Sequence, residues 1–344
     1  MSKTAFITGV TGQDGAYLAR LLLDKGYEVH GGVRRVGVDN LGRLRELDVL
    51  DRITLHDFDL IEFSNVRRKI TEIQPDELYN LAAQSFVGTS FEQPIYTAQT
   101  DSMGPLYILE VLRENPGKTR MFQASTSEMF GKVQAIPQLE TTPFYPRSPY
   151  GVAKLFAHWM MINYRESYGM FCATAIAFNH ESPLRGREFV TRKVTLGLAE
   201  VFAGKRDCVE LGNLDAKRDW GFAGDYVEGM WRMLQANTPD DYVLATGETH
   251  SIRDFIEGVA AFHGRSVRWS GEREDEVGVD ETTGKTIIRV NPKFYRPAEV
   301  DLLIGDPSKV EGALGWKRSV SFKGLVDMMA AADRDRIEKG VIPF

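Results

Sequence analysis

Cysteine is almost missing from this chain: Cys172 and Cys208 are the only two in 344 residues. Two thiols cannot make a disulfide framework or a cysteine-based zinc site, so no metal is expected and both read as packing residues in a reducing compartment. An excess of positive charge is missing too, because the formal net charge is -6. That balance excludes broad attraction to a phosphate backbone or an anionic membrane, so nucleic acid and membrane are not expected partners. Any anion must instead meet a local basic cluster. No apolar run approaches the roughly 20 residues that a bilayer crossing needs. Met1 to Gly9 has no basic region followed by an apolar signal core, so a soluble, cytoplasmic protein is expected. Internal repeats and low-complexity segments are lacking as well.

What is present is a 43% hydrophobic composition, enough for a large core. The first half alternates short apolar runs with amphipathic stretches. Thr4–Thr8, Ile53–His56, Glu77–Ala82, Met121–Ser125 and Ala173–Phe178 read as buried strands. Ala16–Asp24 reads as a helix with Leu18, Leu21 and Leu22 on one face and Gly26 as its stop. Such alternation predicts a doubly wound parallel sheet built by right-handed crossovers. Beyond Asn179 the rhythm loosens into charged helices, short strands and turn-rich loops, including the polar stretch Gly271–Lys285. Tyr242–Thr246 is again strand-like, and Ser251 is a cap for a helix over Ile252–Phe262. Two interleaved domains are therefore expected. Residues 1–178, with about 215–250 returning to them, form a dinucleotide-binding part; 179–214 and 251–344 form mainly a substrate-binding part.

Gly9, Gly12 and Gly15 follow the first strand and open the first helix in the order Gly-x-x-Gly-x-x-Gly. Without side chains the backbone can turn tightly against a pyrophosphate, whose charge meets free N–H groups and the helix dipole. The alternative is a glycine-rich turn with no ligand; the strand before and the helix after favour a dinucleotide. Roughly 20 residues on, where an acid would hold the ribose 2'-hydroxyl of NAD, stand Arg34 and Arg35. A guanidinium there suits a 2'-phosphate, which predicts NADP, against the alternative of a solvated basic loop.

Tyr150 and Lys154 are spaced i, i+4 behind Ser148-Pro149, a good cap and a good first helical residue. An ammonium beside the phenol is expected to lower its pKa and make Tyr150 a base for a sugar hydroxyl, and Lys154 can hold the nicotinamide ribose. The alternative is a half-buried helix with a snorkelling lysine. The preceding strand ends in Ser125-Thr126-Ser127-Glu128, and parallel strands assemble their sites at their carboxyl ends. Thr126 can bond the oxygen that Tyr150 deprotonates. Glu128 adds an acid/base group that a plain dehydrogenase does not need; its alternative is an exposed loop carboxylate.

With these residues, Ile7 to Gly15, Asn80-Leu81, Gln84-Ser85, Gln123 to Glu128, Thr141 to Tyr150, Phe178 to Pro183, Val190 to Lys193, Gly212 to Gly221 and Tyr295 to Asp301, the chain resembles the GDP-mannose 4,6-dehydratase family over almost its whole length. That family belongs to the extended short-chain dehydrogenase/reductases. The resemblance implies a Rossmann-type α/β fold with a smaller mixed α/β substrate domain. It implies that NADP contacts Gly9, Thr11, Gly12, Gln13, Asp14, Gly15, Arg34, Asp59 and Leu60. Leu81, Ala82, Ala83, Gln84, Ser85, Tyr96, Lys154, His180 and Arg185 complete that implied set. Thr126, Ser127, Glu128, Tyr150 and Lys154 are implied to be catalytic. Asn179, Val190, Lys193, Arg218, Arg296 and Glu299 are implied to bind the substrate, GDP-mannose, although Arg218 in Lys217-Arg218-Asp219 also reads as a surface ion pair.

The implied reaction is an internal redox cycle. Tyr150 takes the hexose 4-hydroxyl proton as hydride leaves C4; Glu128 takes the C5 proton and helps expel the C6 hydroxyl as water, with Ser127 as a proton relay; hydride returns to C6. Homotetramers are implied as well. The loop Arg34-Arg35-Val36-Gly37-Val38-Asp39-Asn40 stands where the family usually has a serine-rich run, which leaves a dimer open. Leu184 and Phe222 also depart from the common arginine and histidine. Two rival readings are a related nucleotide-sugar epimerase or reductase, with no clear task for Glu128, and a catalytically silent NADP-binding protein.

Overall fold

Strands buried on both faces are mostly apolar, and the amino-terminal half supplies them. The structure, a computed structural model, describes residues 2–115, 117–294 and 303–341. Strands β1 (Thr4–Thr8), β2 (Glu28–Val33), β3 (Thr54–Asp57), β4 (Glu77–Asn80), β5 (Arg120–Thr126) and β6 (Cys172–Ala177) join the strand Asp241–Leu244 in one seven-stranded sheet. Every pairing is parallel, and the order is Asp241–Leu244, β6, β5, β4, β1, β2, β3. The direction of winding reverses between β1 and β4, so a crevice opens beyond their carboxyl ends.

Alternate residues of one strand feed two cores. Ile7, Tyr79 and Phe122 pack with Leu18, Leu22, Met230 and Leu234, from helices Gln13–Asp24 and Ala223–Gln235. Phe6, Leu78 and Met121 pack on the other face with Val66, Ile108 and Met161, from helices Phe63–Ile73, Gly104–Glu114 and Pro149–Tyr168. A third core lies apart from the large sheet. There helices Val190–Phe202, Ile252–Phe262 and Phe322–Lys339 contribute Val194, Phe255 and Met329. They cover a mixed sheet of Val209–Leu211, Val267–Ser270, Val277–Asp280 and Thr286–Val290.

Differences from the sequence expectation have local causes. The first helix begins at Gln13 rather than Ala16, because the polar Gln13 and Asp14 fill its first turn ahead of the apolar stripe. Strand β4 stops at Asn80 because the N–H groups of Leu81 and Ala82 leave the ladder and donate to Thr8 Oγ1, both at 3.1 Å. The expected loop Gly271–Lys285 contains the strand Val277–Asp280. Its buried positions are Gly278 and Asp280, residues that read as turn formers, while Val277 and Val279 point outward. Ser251 does cap Ile252–Phe262, in a reciprocal box with Asp254. No helix among the described residues is long and apolar enough to cross a membrane.

Candidate active site

The turn after β1 is shaped for something to lie against its backbone. Gly9 has φ +68°, and a Cβ there would sit 2.8 Å from the Ala82 backbone; one on Gly15 would sit 2.5 Å from the Gly9 carbonyl. Only glycine fits either place, so the turn closes onto β4 and leaves the amino end of helix Gln13–Asp24 open for an anion. Side chains then staple this end to the chain beyond β6. Gln13 Nε2 donates to the His180 carbonyl at 3.0 Å, Ser182 Oγ donates to Gln13 Oε1 at 2.7 Å, and His180 Nε2 meets Asp14 Oδ2 at 2.8 Å. Burial works against charge on His180, yet the Asp14 carboxylate holds its pKa above the ordinary value.

At the other end of the crevice, Arg34 and Arg35 line a cleft of about 260 Å³ with Val38, Asn40, Leu55 and Asp57. Arg34 donates to the Tyr96 hydroxyl, and its guanidinium lies 5.9 Å from that ring's centroid. Asp59 and Leu60 follow β3: Ile61 N–H donates to Asp59 Oδ1 at 3.2 Å, and Leu60 is buried against Gly104. Ala83 is half-buried and Ser85 exposed beside Gln84. Thr11 offers its carbonyl to Arg43 Nη1 at 3.3 Å.

The catalytic candidates meet because one helix lies along one strand end. Ser148 caps the helix Pro149–Tyr168 by accepting from Gly151 N–H at 3.0 Å. Tyr150, Lys154 and His158 then fall on one face. Lys154 Nζ donates to the Ala124 carbonyl at 2.8 Å, His158 Nδ1 lies 3.2 Å from Ser125 Oγ, and the Thr126 hydroxyl acts on the Tyr150 phenol from the strand end. Thr126 Oγ1 in turn accepts from the Glu128 N–H at 3.2 Å. Ser127 is buried in the turn between them. Gly151 brings the helix against this turn so tightly that a Cβ would stand 2.8 Å from the Glu128 carbonyl oxygen.

The electrostatics correct one expectation. The Tyr150 pKa is raised, not lowered: burial pushes it up first, then the Asp101 carboxylate, with Glu128 adding to the rise. The Thr126 hydroxyl and the Arg185 guanidinium pull the other way. Lys154 is not among the groups that pull it down; its ammonium donates to the Ala124 carbonyl and lies 5.8 Å from the Tyr150 ring centroid. Asp101 itself had no sequence signal, since a lone aspartate in Thr100-Asp101-Ser102 obeys no spacing rule. Arg185, an implied cofactor residue, pairs with Glu181 at 3.0 Å and stacks over Phe189.

The implied substrate residues lie on the side facing the third core. Asn179 belongs to a short strand, Asn179–Glu181, that pairs in parallel with Trp220–Phe222, and Val190 starts the helix Val190–Phe202. Lys193 Nζ lies 4.3 Å over the Phe294 ring, and burial, then Arg206, lower its pKa. Arg218 is only 7% exposed and donates to the Lys217 carbonyl at 2.8 Å, so it is not a surface residue. Arg296 and Glu299 fall outside the described residues. Among the described residues no group of three or more His, Cys, Asp or Glu could hold a metal ion.

Comparison with known proteins follows the same lines. A family model described as GDP-mannose 4,6 dehydratase matches residues 6–329. The chain belongs to the GDP-mannose 4,6-dehydratase family. The GDP-mannose 4,6-dehydratase of Sinorhizobium fredii is 51% identical over 338 residues, covering 96% of this chain and 96% of the relative. That of Cricetulus griseus is 50% identical over 339 residues, covering 96% and 91%. Among solved structures, the dTDP-glucose 4,6-dehydratase of Bacillus anthracis in complex with NAD superposes with a TM-score of 0.81 over 99% of this chain and 100% of its own. At 16% identity that likeness shows the fold alone, a Rossmann-type parallel sheet with a smaller second part.

Proposed function

We propose that this chain is a hydro-lyase that converts GDP-mannose to GDP-4-keto-6-deoxymannose and water, with NADP as its resident cofactor. The observation that carries the reading is the meeting of Tyr150 with Thr126 and Glu128 at one strand end, in a chain of this family. A plain oxidoreductase has no use for the added carboxylate. The glycine cradle, where a Cβ on Gly9 or Gly15 would strike backbone, fits a pyrophosphate. Arg34 and Arg35 in the 260 Å³ cleft fit a 2'-phosphate, and the residue that follows β2 is Arg34 rather than an acid.

Held by the Gly9–Gly15 turn, Arg34 and Lys154, bound NADP would supply a reversible hydride acceptor for C4 and C6 of the hexose. Tyr150 takes the 4-hydroxyl proton, and the Thr126 hydroxyl, which pulls the Tyr150 pKa down, is placed to bond the same sugar oxygen. The 4-keto group acidifies the C5 hydrogen, which Glu128 removes. Ser127 and Glu128 pass that proton to the C6 oxygen, which leaves as water, and a proton equivalent to the one Tyr150 accepted goes to C5 as hydride is delivered to C6. Lys193, one turn beyond Val190 on its helix, and Arg218, two residues before the strand that pairs with Asn179–Glu181, are the cations that a chain of net charge -6 would use to hold a diphosphate. A lysine whose charge is opposed by burial and by Arg206 gains from a bound anion.

Residues 1–178 with about 215–250 then serve as the cofactor part, and 179–214 with 251–344 as the substrate part. The two free cysteines fit a reducing cytoplasm. Val152, Phe156 and Trp159 form an exposed apolar stripe along helix Pro149–Tyr168, with Phe91 and Ile95 nearby, which supports a homo-oligomer: a tetramer, or a dimer where Val36–Asp39 alters the loop.

The deciding experiment offers GDP-, dTDP- and UDP-hexoses with trace NADP or NAD and reads products by mass. Loss of water from GDP-mannose, with better support by NADP, is expected. Glu128→Gln should bind NADP normally and release no water; full dehydration by that variant, or equal activity with every nucleotide sugar, overturns the reading.

A further inference from the structure

The Tyr150–Lys154 helix is flanked by a carboxylate with no role in the reaction described above. The chain between helices Pro94–Ala98 and Gly104–Glu114 takes a π-turn at Gln99–Met103. Such turns are rare and recur at functional sites, because the extra residue thrusts one side chain out of helical register. This one packs against helix Pro149–Tyr168 and carries Asp101, which is 1% exposed. Asp101 Oδ1 accepts the Gln84 N–H at 2.7 Å. Its Oδ2 has no hydrogen-bond partner among the described residues, and neither has the neighbouring Thr100 hydroxyl.

A buried carboxylate with an unbonded oxygen is expensive unless a cation offsets it. The cation within electrostatic reach is the Lys154 ammonium, which is buried and fixed to the Ala124 carbonyl. Asp101 also acts on the Tyr150 phenol. The groups that face Tyr150 are therefore Asp101 from the π-turn, Glu128 from the end of β5, Arg185 from beyond β6 and Lys154 on its own helix; Lys154 is faced in turn by Asp101 and Asp14.

We propose that Asp101 is a positioning residue for the dehydratase: its carboxylate anchors the charge of Lys154, governs how readily Tyr150 gives up its proton, and ties both to the cofactor-side loop through Gln84. The proposal rests on the reading of Tyr150 as the base. Burial raises the Asp101 pKa to about 6, with the Lys154 charge and the Gln84 N–H opposing that rise, so the carboxylate is charged in neutral solution. Each side chain alone has an ordinary structural explanation; the bond to Gln84, the unbonded oxygen and the π-turn converge on one.

Asp101→Asn keeps the shape and an acceptor for Gln84 N–H while removing the charge. Without a like charge near the phenol, the rising limb of the kcat/KM profile should move to lower pH by about 1 unit. The weaker base should lower the plateau kcat about tenfold, with KM for GDP-mannose unchanged. Asp101→Glu should bring the limb back toward its original pH even if the rate stays low. A profile for Asp101→Asn that superimposes on that of an active wild type, or the same displacement in Asp101→Glu, overturns the proposal while leaving the functional reading intact. Should Asp101→Asn fail to fold, or the wild type prove inactive, carbon-13 NMR of labelled aspartate still decides. Of the carboxyls titrating near 6, the one of Asp101 should rise in Lys154→Met and that of Asp219 should stay, whereas no movement of any signal refutes the coupling.

Discussion

Replacing Gly151 with alanine separates positioning from stability at this site. Two effects oppose each other in stability: alanine in place of glycine favours a helix by about 1 kcal/mol, and overpacking costs about 1–3 kcal/mol. The net loss is thus on the order of 0–2 kcal/mol, which a protein of this size survives. The geometry is less forgiving. A Cβ would lie 2.8 Å from the Glu128 carbonyl oxygen and 3.1 Å from Pro146 Cβ, so reaching an ordinary contact of 3.4 Å moves the helix start and the Glu128 turn apart by about 0.6 Å. Because a misplacement of about 1 Å can cost about 10²-fold, a displacement of this size should lower kcat on the order of tenfold or more. The assay is water loss from GDP-mannose under saturating cofactor, beside a thermal melt. Unchanged kcat with an unchanged melt refutes the claim that this contact sets the Tyr150–Glu128 spacing, and so does a loss of activity that merely tracks unfolding.

Asp14→Asn should change how stability depends on pH. Burial opposes both charges, yet the ion pair raises His180 above 6.5 and lowers Asp14 below 3.8. The histidine contribution is complete below 6.5 and is lost as pH rises through the higher folded value; the carboxylate contribution is present above 3.8 and is lost as pH falls through the lower one. The melting advantage of the wild type should therefore peak between pH 3.8 and 6.5 and shrink in alkaline solution, and a gap independent of pH contradicts this. Asp333→Ala removes the carboxylate that lies 2.8 Å from both the fully buried Arg192 and Arg336, and should cost about 3–5 kcal/mol in denaturant titration. If the exposed stripe carries the proposed homo-oligomer contact, Trp159→Glu should reduce the mass measured by light scattering, and an unchanged mass contradicts that proposal.

The parts of this molecule that were legible in sequence are those where one physical demand dominates. Strands Thr4–Thr8 and Cys172–Ala177 are buried on both faces, so continuous apolar runs announce them. Gly9 and Gly15 are legible because no other residue fits so close an approach. Tyr150 and Lys154 are legible as neighbours through helical spacing, but not in their ionisation, since burial and the distant Asp101 decide it. The strand Val277–Asp280 hid because its inward side chains are a glycine and an aspartate that bonds Thr283. Asp101 hid for a related reason: a π-turn has no sequence period, and its meaning comes from Lys154 and Gln84, far away along the chain.

The place of Asp241–Leu244 beside β6 has a consequence for synthesis. A nascent polypeptide halted near its two-hundredth residue already contains β6, an all-buried strand, with one flank of N–H and C=O groups still unmatched. Until the later segment leaves the ribosome, that flank is a template for pairing with other chains, which chaperones must shield. Fragments that end between the two segments should aggregate on expression, whereas those extending past Leu244 and helix Ala223–Gln235 should be better behaved.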